Sequence, residues 1–187
     1  MKKTLVIMAG GKSSRMKKDK ALLPFGGFST LAEYQYQRLL PYFDNIFISS
    51  KNNKFNFPIR IIEDCYADSS PLVALISIFE TLEETKEVFV LSVDAPFVSP
   101  KSIEKLYQNS YKYHDIIVAE SNNGVEPLCA IYKNSILEPA KRLLKKNNHR
   151  LQTLLNEVQT VKIKIEGERE FMNLNYPREY EEAKSLC

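Results

Sequence analysis

Residues 8–23 read MAGGKSSRMKKDKALL, in which Gly10 and Gly11 stand beside Lys12, Arg15, Lys17, Lys18 and Lys20. Glycines let a backbone approach an anion closely and adopt positive φ. Successive N–H groups in such a turn form an anion-binding nest. Lys12, Arg15 and Lys20 would then neutralise a triphosphate. The same residues also suit a strand-ending turn followed by a solvated basic face. Two familiar phosphate motifs are excluded. A P-loop ending at Gly11–Lys12–Ser13 needs its first glycine at position 6, which is Val6. The G-x-G-x-x-G fingerprint fails because Gly10 and Gly11 lack partners at that spacing.

Further along, VLSVDAPFVSP places Asp94 directly after a strongly apolar run. An Asp at the carboxyl end of a buried strand can hold Mg²⁺ through one carboxylate, with phosphates and water completing the shell. Asp is equally a favoured turn residue. IIEDCYAD supplies Glu63, Asp64 and Asp68 after another apolar run. A carboxylate there can accept from the N–H donors of guanine, or belong to a solvated acidic loop.

Composition narrows the class. The 187 residues suit one domain spanning 1–187, with 44% hydrophobic and 26% charged residues. A net charge of +3 does not call for a nucleic-acid partner. Cys65, Cys129 and Cys187 are widely spaced, and His114 and His149 are the only histidines. That argues against a disulfide framework or a structural zinc site and for a reducing cytoplasm. The apolar run ending at Ala9 is too short for a signal peptide, and no segment has the length of a membrane span.

The elements that must position these residues alternate. Apolar β-rich runs cover 5–8, 46–48, 59–62, 88–93, 116–119, 128–132 and 161–165. Between them, Thr30–Leu31–Ala32–Glu33 has the form of a capping box. Ser70–Pro71 and Ser99–Pro100 read as N-cap and first helical residue. A later helix is interrupted or started late by Pro139, and a last one begins at Pro177 behind Tyr176, a poor cap. Strands alternating with helices imply an α/β fold with a mostly parallel sheet and helices on both faces. One of the runs 128–132 and 161–165 can be antiparallel, and the sequence leaves open which. The basic stretch 141–150 reads as a solvated helix end and His149 as a surface residue.

Taken in order, the stretches IMAGGKSSRMKKDKALL, IIEDCYADSSPLVAL, LSVDAPFV, EPLCAIY and FMNLNYPREYEEA resemble the molybdenum cofactor guanylyltransferase family. The resemblance spans nearly the whole chain. It implies a Rossmann-like three-layer sandwich. By it, Met8, Ala9, Gly10 and Gly11 wrap nucleotide phosphates, and Arg15 and Lys20 contact those phosphates during catalysis. Ser49 lies near the nucleotide, Asp64 contacts it, Asp94 binds Mg²⁺, and Asn173 and Asn175 close the active site. The implied reaction transfers GMP from GTP to Mo-molybdopterin in the cytoplasm. Molybdoenzymes or other cofactor-biosynthesis proteins are implied as further partners, and neither nucleic acid nor membrane is.

Three departures bear on this. Lys17 replaces a usual Gly, Ser49 stands where relatives often place Asn, and Ser70–Pro71–Leu72–Val73–Ala74 lacks both glycines of G-P-L-x-G. The last two touch the base pocket. A cytidylyltransferase, a sugar-phosphate nucleotidyltransferase and a non-catalytic cofactor carrier are therefore the alternatives.

Overall fold

The computed structural model describes residues 2–10, 18–66, 68–167 and 169–186. Gly11, Lys12, Arg15 and Lys17 lie outside them. β1 (Thr4–Met8) is buried along its whole length and pairs in parallel with β2 (Asn45–Ser49) and β4 (Glu87–Ser92). β3 (Arg60–Ile62) extends the sheet beyond β2. On the far side of β4 come β6 (Gly124–Lys133), β5 (Ile116–Ser121) and β7 (Thr160–Lys164). The order is β3-β2-β1-β4-β6-β5-β7.

Of the two runs left open by the sequence, the first is the antiparallel one. β6 pairs antiparallel with both β4 and β5, whereas β7 is parallel to β5. The reason is local. Ser121 pairs with Gly124 across Asn122–Asn123, a two-residue hairpin, and Gly124 sits at φ +121°, where a side chain is strained. A hairpin can only reverse the chain, while β6 and β7 are separated by two helices.

Helices α1 (Leu31–Leu39), α2 (Pro71–Thr81) and α3 (Pro100–Gln108) start at the expected caps. Thr30 Oγ1 accepts from Glu33 N–H at 3.0 Å, while Glu33 reaches back to the N–H of Ser29, one residue beyond the cap. α4 (Leu137–Lys145) opens two residues before Pro139. Its proline occupies the first turn, where the missing N–H has no partner to lose. α5 (Leu151–Glu157) was not resolved from the sequence pattern, and α6 (Pro177–Lys184) begins where expected. Tyr176 needs no capping side chain of its own. Glu179 Oε2 accepts from the backbone N–H groups of Asn175 (2.7 Å) and Tyr176 (2.9 Å).

Alternation along the strands sends side chains to two cores. Leu5, Ile7, Phe89 and Leu91 pack under α1, α3 and α6, and Val6, Met8, Val88 and Val90 pack under α2, α4 and α5. Among the described residues no helix is long and apolar enough to cross a membrane.

One buried polar residue ties a helix to the sheet edge. Gln35 on α1 is fully buried, and its Nε2 donates to the carbonyls of Ser92 (3.2 Å), Val93 (3.2 Å) and Ala95 (3.1 Å). Its Oε1 accepts from Arg38 Nε at 2.7 Å, and Arg38 Nη1 donates to the Val98 carbonyl at 2.8 Å. The pair thus fixes the backbone around Asp94. Gln35→Leu keeps volume but strands these carbonyls. It should lower stability by about 1–3 kcal/mol in urea unfolding, with an unchanged m-value. Wild-type stability in that variant would remove Gln35 from this role.

Candidate active site

The strand order reverses direction between β1 and β4, and the carboxyl ends of β1, β2, β3 and β4 meet at one edge. Ligands of open α/β sheets bind at such a crevice. Pairing persists beyond the strands: Ala9 N–H donates to the Ser49 carbonyl (2.9 Å), Val93 N–H to Met8 (3.0 Å) and Ser50 N–H to Ile62 (3.1 Å). These bonds hold Ala9, Ser50 and Val93 in register where the glycine stretch leaves β1.

Asp94 sits just past β4. Its Oδ1 accepts from Ser92 Oγ at 2.5 Å, and its Oδ2 from the ammonium of Lys20. Lys20 lies on a short 3-10 turn, residues Lys20–Leu22, capped by Asp19, whose Oδ1 accepts from Ala21 N–H at 3.1 Å. Lys20 Nζ also donates to Asn175 Oδ1 at 3.1 Å. The segment bearing Asn173 and Asn175 is tied to the same point through Leu174 N–H, which donates to the Asp94 carbonyl at 3.0 Å. α6 beyond it is pinned by Tyr180, whose hydroxyl donates to the Pro24 carbonyl. Residues 74 to 155 positions from Lys20 therefore converge on one ammonium.

Two cavities open beside this cluster. The first, about 320 Å³, is lined by Met8, Gly10, Ser49, Asp64, Ser70 and Ala74, among others. The second, about 240 Å³, is lined by Asp94, Glu126, Phe171, Asn173 and Asn175, among others. Leu128 lines both. It reaches that place through a bulge in β6. Val118 pairs with Ala130 but Ala119 pairs with Glu126, so Pro127, Leu128 and Cys129 have no partner on β5. Pro127 has no N–H to give the ladder, and its carbonyl is held by the Tyr132 hydroxyl at 2.8 Å.

The expected residues largely assemble. Met8, Gly10, Ser49 and Asp64 line the first cavity, Asp94, Asn173 and Asn175 the second, and Lys20 bridges Asp94 and Asn175. Ala9 contributes backbone groups only. Gly11 and Arg15 lie outside the described residues. Glu63 and Asp68 are exposed and line neither cavity, so Asp64 alone of that acidic stretch faces a site.

Of the two properties glycines offer such a turn, Gly10 does not use positive φ, and a Cβ there would meet nothing within 4 Å. Its value is an accessible backbone at the cavity wall. His149 reads from the sequence as a surface residue rather than a catalytic one. It is half-buried, with Nδ1 3.0 Å from Ser70 Oγ and Nε2 3.1 Å from Asn147 Oδ1, so it stands behind the wall of the first cavity. Lys54 carried no recognisable signal in the sequence, and Glu126, although it opens the EPLCAIY stretch, was not singled out there. Both come from connections or strand ends that only the sheet brings to this edge.

Burial pushes the Asp64 carboxyl above its ordinary value, and Lys51 opposes the shift. Burial, with Glu126 next, pushes the Cys129 thiol far up, so at neutral pH it is a thiol and not a nucleophile. The site thus offers paired cations and carboxylates, and amide and hydroxyl groups, beside two cavities: a set for binding charged phosphates rather than for thiolate chemistry.

The family model described as MobA-like NTP transferase domain matches residues 5–161. The chain belongs to that family. A molybdenum cofactor guanylyltransferase of Campylobacter jejuni is 35% identical over 182 residues, covering 96% of this chain and 94% of the relative. One of Helicobacter pylori is 36% identical, covering 97% and 91%. The crystal structure of molybdopterin-guanine dinucleotide biosynthesis protein A from Archaeoglobus fulgidus superposes with a TM-score of 0.84 at 20% identity, over 98% of each chain. That last likeness establishes the shared fold.

As a MobA-like NTP transferase, the protein is a nucleotidyltransferase, and two of its departures from the family pattern, at Ser49 and at Ser70–Ala74, fall on one cavity. Ser49, Ser70 and Ala74 all line the first. The Cβ of Ala74 and the hydroxyl of Ser70 make that wall narrower and more polar than glycines would.

The Asp64 shift has a measurable sign. Its folded pKa exceeds the ordinary 3.8, so just above that value the folded state keeps a proton the unfolded chain has lost. Stability therefore falls as pH rises through that window. Asp64→Asn should flatten this part of the pH–stability curve in urea titrations. An unchanged slope would show that the Asp64 carboxyl is not desolvated.

Proposed function

We propose that this nucleotidyltransferase is a molybdenum cofactor guanylyltransferase, which transfers GMP from GTP to the terminal phosphate of Mo-molybdopterin in a reducing cytoplasm. The observation that carries the reading is the Lys20–Asp94–Asn175 cluster at the carboxyl ends of β1 and β4, with one cavity on each side of Leu128. The first cavity, with the Asp64 carboxyl in its wall, suits the nucleoside: a carboxylate accepts from the N–H edge of guanine. The second, lined by Asp94 and the two asparagines, suits the acceptor.

A phosphate nucleophile is already ionised at neutral pH, so no strong general base is needed. An oxygen of the pterin phosphate attacks the α-phosphorus, the Pα–O bond to the β-phosphate breaks, and pyrophosphate leaves with the electron pair. The residues contribute positioning and charge neutralisation. Lys20, and Arg15 by the family resemblance, neutralise the leaving pyrophosphate, while the backbone at Met8, Ala9 and Gly10 stands at the edge where the phosphates enter, with Gly11 added by the family resemblance.

A cation already sits among Asp94 Oδ2 and Asn175 Oδ1 in the form of the Lys20 ammonium, so these oxygens fit a cationic ligand. Asp94 with Asn175 would hold Mg²⁺, an ion that keeps several waters and neutralises phosphate oxygens during transfer. Separating Lys20 from Asp94 requires a negative partner for one and a positive partner for the other. A nucleoside triphosphate with its cation supplies both at once.

The test is pyrophosphate release from GTP, CTP, ATP and UTP in turn, with Mo-molybdopterin and Mg²⁺. Release with GTP is expected. Preference for CTP would overturn the guanine reading, and nucleotide binding without release would favour a carrier. In the same assay Asp94→Ala should lose about 100-fold or more in kcat while keeping its circular dichroism. Wild-type turnover in that folded variant would sink the assignment of Asp94.

A further inference from the structure

The connection from β2 to β3 carries a lysine that neither the family pattern nor the proposed chemistry uses. Lys54 Nζ donates to the Ala9 carbonyl at 3.2 Å and to Asp19 Oδ2. Ala9 and Asp19 stand at the two ends of segment 10–18, the glycine and lysine stretch. One ammonium thus joins the point where the chain leaves β1 to the cap of the turn that bears Lys20.

The lysine is delivered by a well-held backbone. Asn53 Oδ1 accepts from Phe55 N–H at 3.3 Å. Phe55 is buried and packs edge-on against Phe57 at 5.9 Å, and Phe57 meets Tyr36 of α1 at 5.7 Å. The Lys54 ammonium lies 5.6 Å from the centre of the Phe55 ring. Its side chain is only 20% exposed, so little of the charge is left to water.

Asp19 is a liability in a phosphate site. Its carboxylate neighbours Lys20, and unpaired it would repel an incoming triphosphate. Its other oxygen must nevertheless stay, because it caps the turn at Ala21 N–H. We propose that Lys54 is a positioning residue of the nucleotidyl-transfer reaction: it ties Ala9 at the end of β1 to the Asp19 cap of the Lys20 turn and cancels the charge of Asp19, so that a triphosphate approaching Lys20 is not repelled. This rests on the reading of the glycine stretch as the phosphate-holding segment. Lys54 acts through Ala9 and Asp19, not on the reacting atoms.

Calorimetric titration of the full chain with inorganic tripolyphosphate and, separately, guanosine tests this. Lys54→Met should weaken tripolyphosphate by about tenfold and leave guanosine unchanged. Lys54→Arg should recover most of the loss. Adding Asp19→Asn to Lys54→Met should recover part of it, because the unpaired carboxylate is gone while the amide oxygen still caps the turn; a merely loosened fold would not respond that way. With GTP, Lys54→Met should raise KM more than it lowers kcat. Wild-type tripolyphosphate affinity in Lys54→Met, or no recovery in the double variant, overturns the inference alone. A wild type that binds guanosine but not tripolyphosphate overturns the phosphate-segment reading and the inference with it.

Discussion

Everything at the functional edge depends on keeping Lys20 and Asp94 together. Both are largely withdrawn from water, and a charge so placed is costly unless paired and hydrogen-bonded. The chain meets that demand from four directions. Ser92 supplies a hydroxyl to one carboxylate oxygen, Asn175 an amide oxygen to the ammonium, Leu174 a backbone donor to the Asp94 carbonyl, and Asp19 caps the turn that aims Lys20. Losing Ser92 or Asn175 takes a hydrogen bond from a charged group, and losing the Leu174 or Asp19 contact frees the backbone that holds one in place, so the pair is as much a structural requirement as a chemical one.

The fold can be understood as the means of delivering those partners. Parallel strands point their carboxyl ends the same way, so Met8, Ser49, the approach to Asp64 and Ser92 arrive at one edge without any long-range instruction beyond strand order. Gln35 then holds the backbone on either side of Asp94 from within the core. The antiparallel β6 brings its first half to the same edge, and its bulge divides the space into two cavities. That division matches a transfer between two large substrates, each needing its own wall.

The sequence made a good part of this legible. Caps at Thr30, Ser70 and Ser99 and the start at Pro177 were readable because N-capping depends on a few adjacent residues. The strands were readable from apolar runs, since buried strands leave near-continuous hydrophobic segments. α5 was not separated from its neighbours, because its apolar residues follow closely on those of α4. The hairpin at Asn122–Asn123–Gly124 did carry a turn signal, and with it the direction of β6 could have been anticipated.

By itself the amino-acid sequence determined the alternating α/β order, the exclusion of a P-loop, and the ordered set of Gly10, Lys20, Asp64, Asp94, Asn173 and Asn175 that marks the family. These rest on local pattern and on motif order, both of which are linear properties. Only the tertiary structure decided that Asp64 is half-buried while Glu63 and Asp68 stay exposed, that His149 stands behind Ser70, and that Lys54 joins Ala9 to Asp19. Those outcomes depend on pairing register, a bulge and the packing of Phe55 and Phe57, and contacts between residues tens of positions apart have no local signature to read.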